Sequence, residues 1–406
     1  MSYIERGTKT YRQALICMFL GSMVTFAILY CPQPLISVFS EQYQVSPSNA
    51  SFTISFTTAA LALSMLIIPI VGNRWGRKRV MSFSLFSTSL LTMLSPLGDS
   101  FELLLATRML IGFSLSGFLA SAVVYLNEEF SPRSIGGVVG IYIGGTAVGG
   151  VLGRVWVGVL TDYFSWGVAL FTLGLISFLC SIWFGIFLPK PANLKRATLS
   201  FTNWKSNIKK SLRSKKLLNL YGVGFILIGV YVTMLNYICY PLTEEPYSLS
   251  QSILGFLFLV TLGGTYSSVV FGKLMDRYPQ TQVIAWAMAL AGLGALLTLN
   301  DYLFIKVLGI AVFAFGFFAG HTVASGWVAA EAPSHTRAQA ASMYLLFYYT
   351  GSSIIGWLGG FFWSYYGWIG VIGMICALLG IAYFLTLSLK HGNSAAVEGY
   401  RVKRYS

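Results

Sequence analysis

Three basic residues stand where a charge is costly. Arg108, Arg154 and Lys306 each interrupt an otherwise apolar run. A charge in hydrocarbon costs a few kcal/mol on insertion scales, so such a residue pairs, binds or snorkels. Arg108 and Arg154 fall near the same end of consecutive runs, at similar depth. Two guanidinium groups at one level suit an anion, which they grip through forked N–H donors. The competing readings are snorkelling toward the interface and pairing with Glu102 or Asp162. Lys306 is close enough to its run end to snorkel. No Asp or Glu lies deep in any run, since all 13 acids fall in loops, tails or run ends. If a proton is exchanged, its candidate carriers are Asp162 and Glu102, acting with the arginines, or His321. An imidazole titrates near neutral pH, but a lone His in a span is often a hydrogen-bonded packing residue. A carrier without proton coupling is the remaining alternative.

Neutral polar residues add a second group. Gln33 sits between Pro32 and Pro34, which kink a helix and free backbone carbonyls. Tyr30 and Gln33 are therefore candidate cargo contacts, with Asn236 and Tyr237 in the neighbouring turn of span 7. The bland reading is interhelical hydrogen bonding at about 0.6–2 kcal/mol each. Gly145, Gly149, Gly150 and Gly153 form one small-residue ladder, and Gly351, Gly356 and Gly359 another. Such ladders let helices approach closely, either for packing alone or as hinge and seal between halves.

The elements that carry these residues follow from composition. Of 406 residues, 56% are hydrophobic and 10% charged, against about 25% charged in soluble domains. The net charge of +14 would suggest nucleic acid in a soluble protein. Here the basic residues lie between apolar runs, which points to a membrane and to no nucleic-acid partner. Runs long enough to span hydrocarbon occur at 14–39, 51–72, 80–98, 103–127, 134–161, 163–189, 217–243, 246–272, 278–300 and 302–330. The uncharged stretch 338–389 divides at Tyr365-Tyr366-Gly367-Trp368 into two more. The fold class is an all-α membrane protein with twelve transmembrane helices. Every Lys and Arg outside Arg108, Arg154 and Lys306 falls on segments of one side when the N-terminus is cytoplasmic, and the even span count then places both termini there. The five cysteines all sit in apolar runs, with no disulfide, metal or cofactor spacing.

The chain divides into 1–189, a basic connector 190–216, 217–390 and a tail 391–406. The connector reads as a strap on anionic headgroups or a regulatory amphipathic helix. The halves repeat: Gly21, Thr25 and Cys31 recur at one offset as Gly229, Thr233 and Cys239, and the two glycine ladders correspond. Two similar six-helix bundles facing one cavity are a transporter architecture. No filter-like segment points to a channel, and no phosphate-binding loop to an ATP-driven pump.

On these features the chain resembles the major facilitator superfamily. Its loop signature appears as Gly272, Asp276 and Arg277, and in altered form around Asn73, Gly76 and Arg77, with Asn73 where the family has Asp. Arg108 and Gly112 match the span-4 motif, and span 5 is similar to the glycine-rich antiporter motif, with Gly145 where that motif has proline. Leu29 to Pro34, Tyr142 to Arg154 and His321 to Trp327 resemble the bacterial YnfM-like branch of the drug/proton antiporter group. The resemblance implies two pseudo-symmetric six-helix bundles, a monomer in the bacterial inner membrane, and proton-coupled efflux of a drug-like or sugar-like molecule by alternating access, with no enzymatic activity. Arg77 with Glu128 or Glu129 is expected to form a gating ion pair. The rival readings are an importer of an anionic metabolite, clamped by Arg108 and Arg154, and a non-transporting membrane receptor or sensor.

Overall fold

A computed structural model describes residues 3–65, 67–68, 75–131, 134–193, 212–333 and 336–389. Asn73, Arg133, connector residues 194–211 and the expected tail 391–406 lie outside the described residues.

Hydrocarbon offers no partner for a backbone amide, so an apolar chain crosses it as helix. The first half supplies α1 (Lys9–Tyr30), α2 (Phe52–Ser64), α3 (Arg77–Leu94), α4 (Phe101–Glu129), α5 (Ile135–Tyr163) and α6 (Trp166–Phe187). The second supplies α7 (Lys215–Tyr237), α8 (Gln251–Leu274), α9 (Gln280–Leu297) and α10 (Leu303–Glu331). The stretch Arg337–Leu387 breaks at Gly367, whose φ of 58° suits glycine, into α11 (337–366) and α12 (368–387). These twelve are the principal helices among the described residues, joined by shorter helical turns and with no strand. Hydroxyls of Thr8, Ser100, Ser165, Ser214 and Ser250 accept an N–H from the first turn of α1, α4, α6, α7 and α8, fixing where these helices begin.

The prolines end α1 early. After Tyr30 the chain passes through a short 3-10 turn, Gln33–Leu35, and resumes as helix over Ile36–Gln42. The glycine ladders place α5 on α1 and α11 on α7. A methyl added to Gly149 would lie 2.1 Å from Met23 O, and one on Gly153 2.5 Å from Ala27 O. In the second half, a methyl on Gly351 would lie 2.0 Å from Phe225 O and one on Gly359 2.5 Å from Thr233 Cγ2. The ladders therefore seal each half internally. The close backbone approaches between halves lie elsewhere. A methyl on Gly158 of α5 would sit 2.3 Å from Gln251 O of α8, and one on Gly360 of α11 2.3 Å from Ser48 Cα.

The two ends of the bundle differ. At the end carrying the basic loops, the Ile4 amide donates to Glu129 O at 2.8 Å, Arg77 pairs with Glu128, and Lys216 pairs with Glu331 at 3.3 Å. Each of these contacts stays within one half. At the opposite end bonds cross between halves: Ser353 Oγ donates to Ser55 O at 2.8 Å, Ser48 Oγ to Trp357 O at 3.3 Å, and Tyr240 Oη to Ile36 O at 3.5 Å. The structure is sealed at that end.

Candidate substrate site

The kink in α1 organises the centre. An α-helical carbonyl accepts from the amide four residues on. Pro32 has no N–H, so the Ile28 carbonyl has lost its helical donor. Arg108 supplies the replacement. Its Nη1 and Nη2 each donate to Ile28 O at 3.2 Å, Nη2 also to Leu29 O at 3.1 Å, and Nε to Thr53 O at 2.9 Å. The side chain is buried, and all three of its nitrogens are engaged with backbone of α1 and α2. Where a cargo clamp was expected, the guanidinium of Arg108 braces the kink in this structure. Glu102 is exposed in the first turn of α4 and does not pair with it.

Arg154 differs. It is 3% exposed, and its Nε donates to Gln33 Oε1 and its Nη1 to Gly150 O, both at 2.6 Å. Its guanidinium lies over the rings of Tyr30 (5.0 Å) and Phe258 (4.9 Å), contacts that favour a cation. Gln33 Nε2 donates onward to Asn236 Oδ1 at 3.0 Å. One chain of hydrogen bonds therefore runs from α5 through the α1 kink to α7, joining the halves. Asn236 Nδ2 is buried without a partner. A guanidinium has five N–H donors, of which two find acceptors here. Among the described residues no carboxylate lies within ion-pair distance of Arg154. Arg154 is thus a buried cation without a counter-ion.

An aromatic file extends from this point. Tyr231 stacks on Phe317 at 3.9 Å, Phe317 on His321 at 6.1 Å, and His321 meets Tyr348 at 4.8 Å. His321 Nδ1 and the Tyr344 hydroxyl lie 3.0 Å apart in a hydrogen bond. His321 and Tyr348 are half-buried. The sequence reading missed Phe258, Tyr231, Phe317, Tyr344 and Tyr348. The i, i+4 spacings of Phe317 with His321 and of Tyr344 with Tyr348 were the available signal.

The remaining candidates fall elsewhere. Tyr237 donates to Gly356 O at 2.8 Å and packs against Gly359, in the α7–α11 seam. Asp162 pairs with neither arginine; its oxygens accept backbone amides of α8. A methyl added to Gly150 would meet only Arg154 Nη1, at 3.4 Å. Lys306 reaches back toward the loop end of α10. It is buried, donates to Thr298 O at 2.7 Å and lies 5.6 Å from the Tyr247 ring. The expected ion pair joins Arg77 to Glu128, Nη2 to Oε1 at 3.4 Å. Glu129 instead accepts the amides of Ala192 and Asn193 at 3.0 and 2.9 Å, bolting the start of the connector to α4. Among the described residues, Asp276 and Arg277 form no ion pair, and a methyl on Gly272 would meet nothing within 4 Å. Gly76, with φ of 87°, leads into α3 at a conformation that favours glycine.

Comparison with known proteins agrees with this architecture. The sequence matches the family profile of the Major Facilitator Superfamily over residues 18–264 and 223–404. The chain belongs to the major facilitator superfamily. Within the superfamily it is 41% identical over 386 residues to the uncharacterized MFS-type transporter YybF of Bacillus subtilis, covering 95% of both chains. It is 38% identical to the inner membrane transport protein YnfM of Escherichia coli, over 94% of this chain and 91% of that one. A solved bacterial homolog of the human lysosomal transporter Spinster, in an inward-facing and occupied conformation, superposes with a TM-score of 0.76 at 16% identity, covering 95% and 98% of the two chains. The protein is a multi-pass membrane transporter of this superfamily, and its substrate is a small molecule; its relatives are not enzymes.

Proposed function

We propose that this transporter carries a small organic anion with an aromatic or apolar body by alternating access. Arg154 takes the charge, Gln33 and Asn236 complete the polar end, and the file from Tyr231 to Tyr348 receives the body. The observation that carries this reading is the buried, carboxylate-free guanidinium of Arg154. Leaving a buried cation uncompensated costs several kcal/mol, and an anionic cargo relieves that cost in the occupied state. Because Gln33 and Asn236 belong to opposite halves, a ligand competing for their bond acts on the contact that ties the halves together. The basic loops and both termini face the cytoplasm in this reading, so the sealed end is the outer one.

Outward flux driven by proton entry, implied by the family resemblance, is assigned to His321. Its half-buried ring and its bond to Tyr344 support that role, whereas Asp162 and Glu102 stand apart from the arginines. The test is uptake by proteoliposomes of aromatic carboxylates and of their neutral amides, with a pH gradient of either sign. Carboxylates are expected to move and amides to stay. Preferential movement of the amides would overturn the anion reading. Gradient-driven flux that survives His321→Asn would overturn the proton assignment alone.

A further inference from the structure

Among the described residues, the sealed end is held by neutral hydrogen bonds and one charged contact. Asp162, the penultimate residue of α5, presents both carboxylate oxygens to the first turn of α8. Oδ1 accepts from the Gln251 amide at 3.0 Å and Oδ2 from the Ser252 amide at 2.7 Å. A helix start leaves four amides without intrahelical partners. The hydroxyl of Ser250 takes that of Ile253, and Asp162 takes two more from the other half of the molecule. The backbones meet closely here, since a methyl on Gly158 would lie 2.3 Å from Gln251 O and one on Gly255 2.9 Å from Arg154 O. The other crossing bonds, Ser353 to Ser55, Ser48 to Trp357, Tyr240 to Ile36 and Gln33 to Asn236, join neutral groups.

We infer that Asp162 is the charged latch of this gate. Its carboxylate holds the start of α8 while the end is shut, and the two amides leave it when α5 and α8 separate. The inference concerns the gate and does not depend on what the cargo is. Two effects favour the shut state: hydrogen bonds to an ionised acceptor are stronger than neutral ones, and negative charge is stabilised at a helix N-terminus. Asp162 is exposed, so solvent screens the contact. That suits a bond broken in every transport cycle and puts its effect at roughly two- to five-fold in the ratio of shut to open molecules.

The experiment uses the full chain in lipid nanodiscs, with its five cysteines replaced and spin labels on Leu97→Cys and Tyr302→Cys. These two positions, 70% and 75% exposed, lie in loops of opposite halves at the sealed end, away from the latch. Electron-spin distance measurements then report the shut and open populations. Asp162→Ala is expected to shift their ratio about two- to five-fold toward the longer distance. Gln251→Pro is expected to shift it in the same direction, because proline suits the first helical position but has no amide to donate. A wild-type distance distribution in either variant overturns the latch.

Discussion

Replacing Arg154 by methionine removes the cation and keeps much of its bulk, which separates two roles a buried arginine can have. Without cargo the change deletes two hydrogen bonds of 2.6 Å, to Gln33 Oε1 and Gly150 O, and two ring contacts at 5.0 and 4.9 Å. Hydrogen bonds to charged groups contribute about 1.5–3 kcal/mol each, and desolvated ring contacts about 1–2 kcal/mol. Against these stands the desolvation of a guanidinium with no carboxylate near it, itself several kcal/mol. The terms nearly cancel, so Arg154→Met should change the stability of the cargo-free protein by no more than about 2 kcal/mol in either direction. Cargo binding has no such offset. Losing the charged donor to a carboxylate should cost about 2–4 kcal/mol, or roughly 30- to 1,000-fold in Kd. The assay is thermal unfolding of the purified full chain, titrated with a panel of aromatic carboxylates headed by benzoate, with benzamide as the neutral counterpart. Carboxylates should raise the melting temperature of the wild type and leave that of Arg154→Met unmoved, with the ligand-free values close together. A variant that melts far below the wild type yet keeps its response to anions would refute the reasoning and make Arg154 a strut.

Arg108→Met should instead lower stability, by about 1–3 kcal/mol, because the buried carbonyls of Ile28 and Leu29 lose its N–H donors. Adding Pro32→Ala returns an amide to Ile28 O, so partial recovery of the melting temperature is expected in the double variant. In the α5 ladder, Gly149→Ala should cost about 1–3 kcal/mol through overpacking on Met23, while Gly150→Ala should leave the melting temperature near wild type, since only the movable tip of Arg154 is close. For the ion pair at the basic end, Arg77→Glu and Glu128→Arg should each lower transport, and the double swap should restore it. Pairing Arg77→Glu with Glu129→Arg should not, because Glu129 holds the amides of Ala192 and Asn193. Its stability contribution should be about 1 kcal/mol in a double-mutant cycle.

The helices were legible in the sequence because hydrocarbon leaves an apolar chain few alternatives, and the break at Gly367 because an aromatic turn interrupts an uncharged stretch. Tyr30, Gln33 and Asn236 stood out as polar residues in apolar runs and Arg154 as a charge in one, but the sequence set Arg154 beside Arg108, and its meeting with Gln33 came from the structure. The distinction between Arg108 and Arg154 was not legible, because depth along a helix says nothing of what lies opposite. One clue was present: Pro32 deprives Ile28 of its donor, and accounting for that carbonyl calls for a donor from a neighbouring helix. The roles of Gly149 and Gly150 depend on which helix face meets α1, and the choice of Glu128 over Glu129 on a rotation of about 100° between successive helical residues. Neither is set by composition or spacing. The latch at Asp162 requires knowing that the end of α5 meets the start of α8, a contact between residues 89 and 90 positions apart.

The central claim is that one buried guanidinium recognises the charge of the cargo during transport. Counterflow in proteoliposomes tests it most directly, with vesicles loaded with an unlabelled aromatic carboxylate and presented with the labelled form outside. Rapid exchange is expected of the wild type and loss of exchange of Arg154→Met, with the variant folded and reconstituted to the same level. Undiminished carboxylate exchange by Arg154→Met would contradict it.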